Sequence, residues 1–112
     1  MTKKTIPLAG ALLLVAAVLT ACGGESKEAS APHMDAPPDT AAVYAANCVS
    51  CHGSDLQGRM GPGTNLQQVG SRMNEQEIAD QIANGSKRMP AQKDRLSEEE
   101  IAGLAAWLAQ KK

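Results

Sequence analysis

Two of the three cysteines in this 112-residue chain, and one of its two histidines, fall within five consecutive positions, Cys48-Val49-Ser50-Cys51-His52. Cys48 and Cys51 are three apart, and Cys48 and His52 are four apart. On a helix those spacings put all three side chains on one face. Two sulfurs could then bond neighbouring substituents of a flat ring while the imidazole reaches a metal at its centre. Three other chemistries use paired cysteines. A thioredoxin-like redox dithiol belongs to a fold of βαβ units, and no strand pattern is visible here. A closed zinc site needs four ligands, and past residue 38 there is no further Cys or His to complete one. A structural disulfide would suit an extracytoplasmic chain but gives no reason for the adjacent His52.

Composition points the same way as the first chemistry. The chain has no Phe, one Tyr and one Trp. Much of its apolar content is alanine, and much of the large aliphatic content lies in the first 20 residues. So small a domain with so few large side chains needs a staple from outside the polypeptide. C-x-x-C-H is the attachment signature of c-type haem, which would supply one. Cys48 and Cys51 are expected to form thioethers with the ring, and His52 to give the iron one axial nitrogen. Met34, Met60, Met73 and Met89 are the candidates for the second axial position. Met89 is favoured: it lies in the polar loop NGSKRMPAQKDRL, with Pro90 keeping it out of helical geometry. Met60 comes second, eight residues after His52. An open second position would instead make a haem enzyme or gas sensor.

The elements that must position these residues can be read around them. Lys3 and Lys4 precede an apolar run of 16 residues, Ile6 to Ala21, shorter than the ~20 of a spanning helix, so residues 1–21 read as a signal peptide. The run ends in Leu19-Thr20-Ala21-Cys22, which resembles a bacterial lipobox with Cys22 as the lipid-modified residue. Residues 22–38 read as a flexible tether, with His33 and Met34 solvated; sixteen such residues span roughly 20–25 Å root-mean-square. The domain is expected over 39–112, all-α, with three to four helices around one haem. The first helix starts at an N-cap near Asp39 or Thr40 and runs toward Cys48. The second runs from Asn74 to Asn84-Gly85. The third opens with the capping box Ser97-Glu98-Glu99-Glu100 and carries Ile101, Leu104, Ala105 and Leu108 as its apolar stripe, with Trp107 at the edge. Lys3 and Lys4 account for two of the 11 basic residues, and all 12 acidic ones lie beyond Cys22, so the chain from there on carries −3. That balance argues against nucleic acid as a partner.

From Asp39 to the C-terminus the chain resembles a class I cytochrome c, most closely the small membrane-anchored lipoprotein cytochromes of Gram-positive bacteria. Tyr44 stands four residues before Cys48, where that family has an aromatic; Leu104 and Trp107 match its helix-crossing pair; Met89-Pro90 matches its Met-Pro ligand motif. Gly61-Pro62 matches its Gly-Pro, whose proline carbonyl accepts the proton of the ligand histidine, although Leu66 follows Pro62 by four where the family often has Gly-Pro-x-Leu. The resemblance implies a monomeric one-electron carrier at the outer face of the cytoplasmic membrane. Its partners would be a quinol-oxidising complex and a cytochrome c oxidase, met transiently. Cys22→Ala is expected to move the protein from the membrane fraction to the soluble extracytoplasmic fraction. Immunoblotting of fractionated cells checks this, and retention in the membrane would mean that the apolar run is an uncleaved anchor.

Overall fold

The computed structural model describes residues 34–112. The apolar run, Cys22 and the tether through His33 lie outside the described residues. Four α-helices follow in order: α1 (Pro38–Asn47), α2 (Val49–His52), α3 (Glu75–Asn84) and α4 (Glu98–Leu108). Two 3-10 turns, Pro62–Thr64 and Val69–Ser71, lie between α2 and α3, and no strand occurs among the described residues.

α3 and α4 start where the sequence places them. Asn74 accepts from the Glu77 N–H at 3.0 Å while the Glu77 carboxylate accepts from the Asn74 N–H at 2.8 Å. Ser97 and Glu100 make the same reciprocal pair. Each box satisfies two of the donors that a helix N-terminus leaves open. α1 starts earlier than expected. Pro37 is the N-cap and Pro38 the first residue, so neither Asp39 nor Thr40 caps it. Proline at the first position lacks only an N–H that had no partner there, and its φ is already helical. Asp39 in the first turn still faces the positive end of the helix dipole.

α4 packs against both α1 and α3. Ile101, Leu104, Ala105 and Leu108 are buried as the stripe requires, and Trp107, expected at its edge, is buried with them. The indole meets the Tyr44 ring edge to face, centroids 5.3 Å apart, a geometry that aromatic quadrupoles favour. Where α1 and α4 cross, a Cβ on Gly103 would lie 3.1 Å from Thr40 Oγ1.

The segment before α1 is part of this packing, which corrects its reading as free tether. Asp35 accepts from Trp107 Nε1 at 3.1 Å, and Lys111 Nζ contacts both carboxylate oxygens at 2.5 and 2.6 Å. The same ammonium lies 5.0 Å from the Trp107 ring centroid. With Asp35 fixed there, Met34 is half-buried against the core rather than solvated. The bonds from Lys111 and Trp107 hold the Asp35 carboxyl below the usual carboxylate range. A depressed folded-state pKa stabilises above the ordinary carboxylate pKa, and that contribution disappears as pH falls through the folded value. Asp35→Asn is expected to cost no more than about 1 kcal/mol at pH 7, because the Asp35 carboxylate is solvent-exposed, and less in acid. Leu104→Ala is expected to cost about 2–5 kcal/mol at either pH. Denaturant unfolding of the holoprotein at pH 7 and pH 3 separates the two.

Candidate haem site

α1 breaks at Cys48, whose φ of −120° leaves the helical region, and the chain resumes as the single turn α2. The N–H groups of Cys51 and His52 both donate to the Cys48 carbonyl, at 3.2 and 3.0 Å. Cys48, Cys51 and His52 are thereby held on one tight turn. Gly53 ends it at φ 83°, a left-handed conformation that glycine adopts at no steric cost. Tyr44, buried in α1, donates its hydroxyl to the Gly53 carbonyl at 2.8 Å. Burial raises the Tyr44 pKa, so it stays a neutral donor.

Cys48 and Cys51 are not joined in a disulfide, and each is half-buried. Burial, and secondarily the neighbouring Cys51, push the Cys48 thiol up to about 11. A thiol built for disulfide exchange has a lowered pKa, and Cys48 is shifted the other way. Among the described residues no group of three or more His, Cys, Asp or Glu could hold a bare metal ion. The donor set instead suits a metal delivered inside a ring that two thiols anchor.

His52 Nδ1 donates to the Thr64 carbonyl at 2.7 Å. That bond fixes the ring and leaves Nε2 as the nitrogen for a metal. The acceptor was expected to be the Pro62 carbonyl; it is two residues later. Pro62 is exposed and opens a 3-10 turn, which carries the chain on before it reaches the imidazole. Thr64 Oγ1 holds the turn by donating to the Gly61 carbonyl at 2.7 Å and accepting from the Met60 N–H at 3.2 Å. Counting two residues back from Leu66, instead of forward to Pro62, gives Thr64. The loop is fastened to the Cys-His turn by Gly58 N–H on the His52 carbonyl at 2.7 Å and Arg59 N–H on the Cys51 carbonyl at 2.8 Å.

Met89 is half-buried against the core. Its carbonyl accepts from the Ser86 N–H at 2.8 Å, and the N–H groups of Gln92 and Lys93 return to the carbonyls of Ile82 and Ala83 at the end of α3. Gly85, at φ 68°, permits the turn, for a Cβ there would lie 2.3 Å from the Met89 oxygen. Met60 is 64% exposed, and Met73 packs against the core beside the α3 N-cap. Gln81 was not singled out from the sequence. Its Nε2 lies 3.8 Å from Met89 Sδ and donates to it. The available signal was a polar residue three positions after Ile78 and one before Ile82, on the buried face of α3.

Residues 35–108 match the family model described as "Cytochrome C oxidase, cbb3-type, subunit III". The chain belongs to the cytochrome c family. It is 38% identical over 118 aligned residues to cytochrome c-551 of Bacillus subtilis, covering 99% of this chain and 98% of that one. It is 34% identical to cytochrome c-550 of the same organism over 80% of this chain and 69% of that one. The structure of cytochrome c6 from the diatom Phaeodactylum tricornutum superposes with a TM-score of 0.55 at 31% identity, over 63% of this chain and 87% of that one. As a small c-type cytochrome the protein carries one covalent haem c, and it is an electron carrier rather than an enzyme. Cys48→Ala and Cys51→Ala are each expected to lower the haem that stays with the chain through denaturing electrophoresis, and the double variant to retain none. Haem staining and intact mass read the result.

Proposed function

We propose that this cytochrome c passes single electrons with His52 and Met89 as the two axial ligands of its iron. The observation that carries this reading is Met89 itself. It is a half-buried thioether whose sulfur accepts from Gln81, in a chain whose Met60 is turned to solvent. When bound, haem supplies an Fe(II)/Fe(III) couple, and a soft thioether ligand favours Fe(II) and raises the potential. The rest is done by the chain. The Nδ1–Thr64 bond keeps the imidazole in one orientation in both oxidation states. The Gln81 N–H draws electron density from the sulfur, which favours Fe(II) further. The hydrogen bonds of the Met89 loop to α3 hold the ligand where it is, so electron transfer requires little movement. With His52 and Met89 both bound to the iron, no position would be left for oxygen or a substrate.

The Leu19-Thr20-Ala21-Cys22 sequence supports acylation of Cys22 and a place at the outer face of the cytoplasmic membrane. Two acyl chains suffice for stable anchoring where one is marginal. A respiratory role, receiving electrons from a quinol-oxidising complex and delivering them to a terminal oxidase, is supported by the oxidase subunit that names the matched family. Met89→Ala is expected to abolish the long-wavelength ferric absorption band of thioether-ligated haem and to let the reduced protein bind carbon monoxide, while Met60→Ala leaves both unchanged. Gln81→Leu should keep the band and lower the potential. Spectroscopy and redox titration decide, and wild-type protein without the band would refute Met89 as ligand.

A further inference from the structure

The chain enters the domain along a surface that the end of α4 prepares. Lys111 stands four residues after Trp107, and its ammonium lies 5.0 Å from the indole centroid. The Lys111 side chain is 15% exposed, while the Asp35 side chain it contacts is 77% exposed. The ammonium is therefore held by α4 and the ring, its stem covering apolar surface, and the carboxylate arrives from outside. The indole N–H donates to the same carboxylate at 3.1 Å, so Asp35 joins two donors that already stand side by side. On either side of Asp35, Met34 and Ala36 are half-buried against the core. Met34, Asp35, Asp55, Leu56, Trp107 and Lys111 line one cleft. Its far wall directly follows Gly53, where the Cys-His turn ends. Leu56 is buried there at φ 61°, a left-handed conformation that leucine does not choose, and the Leu66 N–H holds its carbonyl at 2.8 Å.

We infer that Met34–Pro37 is a latch, which seats the incoming tether on Trp107, Lys111 and the 54–56 wall, so that the domain hangs from one fixed point with its Cys-His turn at the membrane end. The inference rests on the reading of Cys22 as the acylated anchor. Three observations carry it. A charge pair flanked by two apolar contacts grips the segment at successive residues, where a single contact would leave a swivel. Pro37 and Pro38 come next, and their rings fix φ, so the direction of the seated segment passes into α1 with few free torsions. Residues 23–33 separate the anchor from the latch, and a coil of that length spans roughly 17–20 Å root-mean-square. So short a leash, attached beside the Cys-His turn, keeps that end of the domain nearest the bilayer. The latch can open with the fold intact, because Tyr44, Trp107 and Gly103 hold α1 and α4 together without the segment.

The test uses haem-loaded, membrane-extracted protein in two settings. In detergent micelles the indole N–H of Trp107, the chain's one tryptophan, should be protected from exchange with solvent in proton–nitrogen NMR spectra. The Met34→Ser/Asp35→Ala pair should speed that exchange roughly tenfold and leave the haem absorption spectrum unchanged. Asp35→Asn, which keeps an oxygen for the indole but not the charge for Lys111, should lie between. On a supported bilayer, linear dichroism of the haem bands should show a preferred tilt for the wild type. The Met34→Ser/Asp35→Ala pair should bring the dichroism down to that of a randomly oriented layer. A long Gly-Ser insert between Pro32 and His33 should randomise the tilt while the indole stays protected, and Glu98→Lys on α4 should change neither readout. A wild-type indole that exchanges freely, or an unaltered tilt in the double variant, would overturn the latch. A tilt that survives the insert would overturn it too, by showing that the domain lies on lipid through its own surface. Wild-type protein that does not stay on the bilayer would refute the Cys22 anchor, while exchange in micelles still decides whether the segment is seated.

Discussion

Tyr44 and Trp107 are the chain's one tyrosine and one tryptophan, with no phenylalanine beside them, and they meet edge to face across the α1–α4 crossing. Through this contact each ring fixes something beyond itself. Tyr44 stands one helical turn before Cys48, and its hydroxyl reaches the Gly53 carbonyl, so one residue lies against both ends of the Cys-His turn. Trp107 extends the contact the other way, through its N–H to Asp35 and the segment that leads into α1. Removing Tyr44 would leave the Cys-His turn held by the 57–65 loop alone, through His52 to Thr64 and the Gly58 and Arg59 N–H groups. That follows from how little else there is: Tyr44 and Leu104, each 1% exposed, are the largest fully buried side chains among the described residues. In so sparse a core the cofactor is structural as well as chemical, and the aromatic pair is the part of the core that the polypeptide supplies.

Much of this was legible in the sequence because the signals were local. Ser97 with Glu100 states a helix start in four residues, and that capping box formed as read; the start at Asn74 was also read, and the structure adds a second box there with Glu77. The C-x-x-C-H spacing pointed to covalent haem without reference to anything distant, and the family carries that cofactor. What was missed depends on contacts between remote segments. Asp35 looked like tether because its partners, Trp107 and Lys111, lie more than 70 residues away. Trp107 is buried because that carboxylate satisfies its N–H, allowing a residue expected at the edge to join the interior. The start of α1 was misplaced for a different reason: a cap residue was sought where the conformational preference of two prolines was sufficient.

The surroundings of Met89 show how polarity is placed in a small apolar interior. Gln81 interrupts the buried face of α3 with an amide, an expensive choice unless its hydrogen bonds are used. Here it is directed at a sulfur, a weak acceptor that would gain little in water and more in a low-dielectric site. Around it the loop is tied to the end of α3 by backbone bonds rather than by side chains.

The acceptor for His52 is a main-chain oxygen, and that has an evolutionary side. No single exchange of amino acid type can delete a carbonyl, so point variation at position 64 leaves the imidazole its partner as long as the turn persists. Insertion or deletion between Gly58 and Leu66 is another matter, since it changes which carbonyl arrives at the ring. Lineages of this cytochrome should accordingly guard the number of steps that lead to that residue, and keep there a side chain that can hold the turn as the Thr64 hydroxyl does.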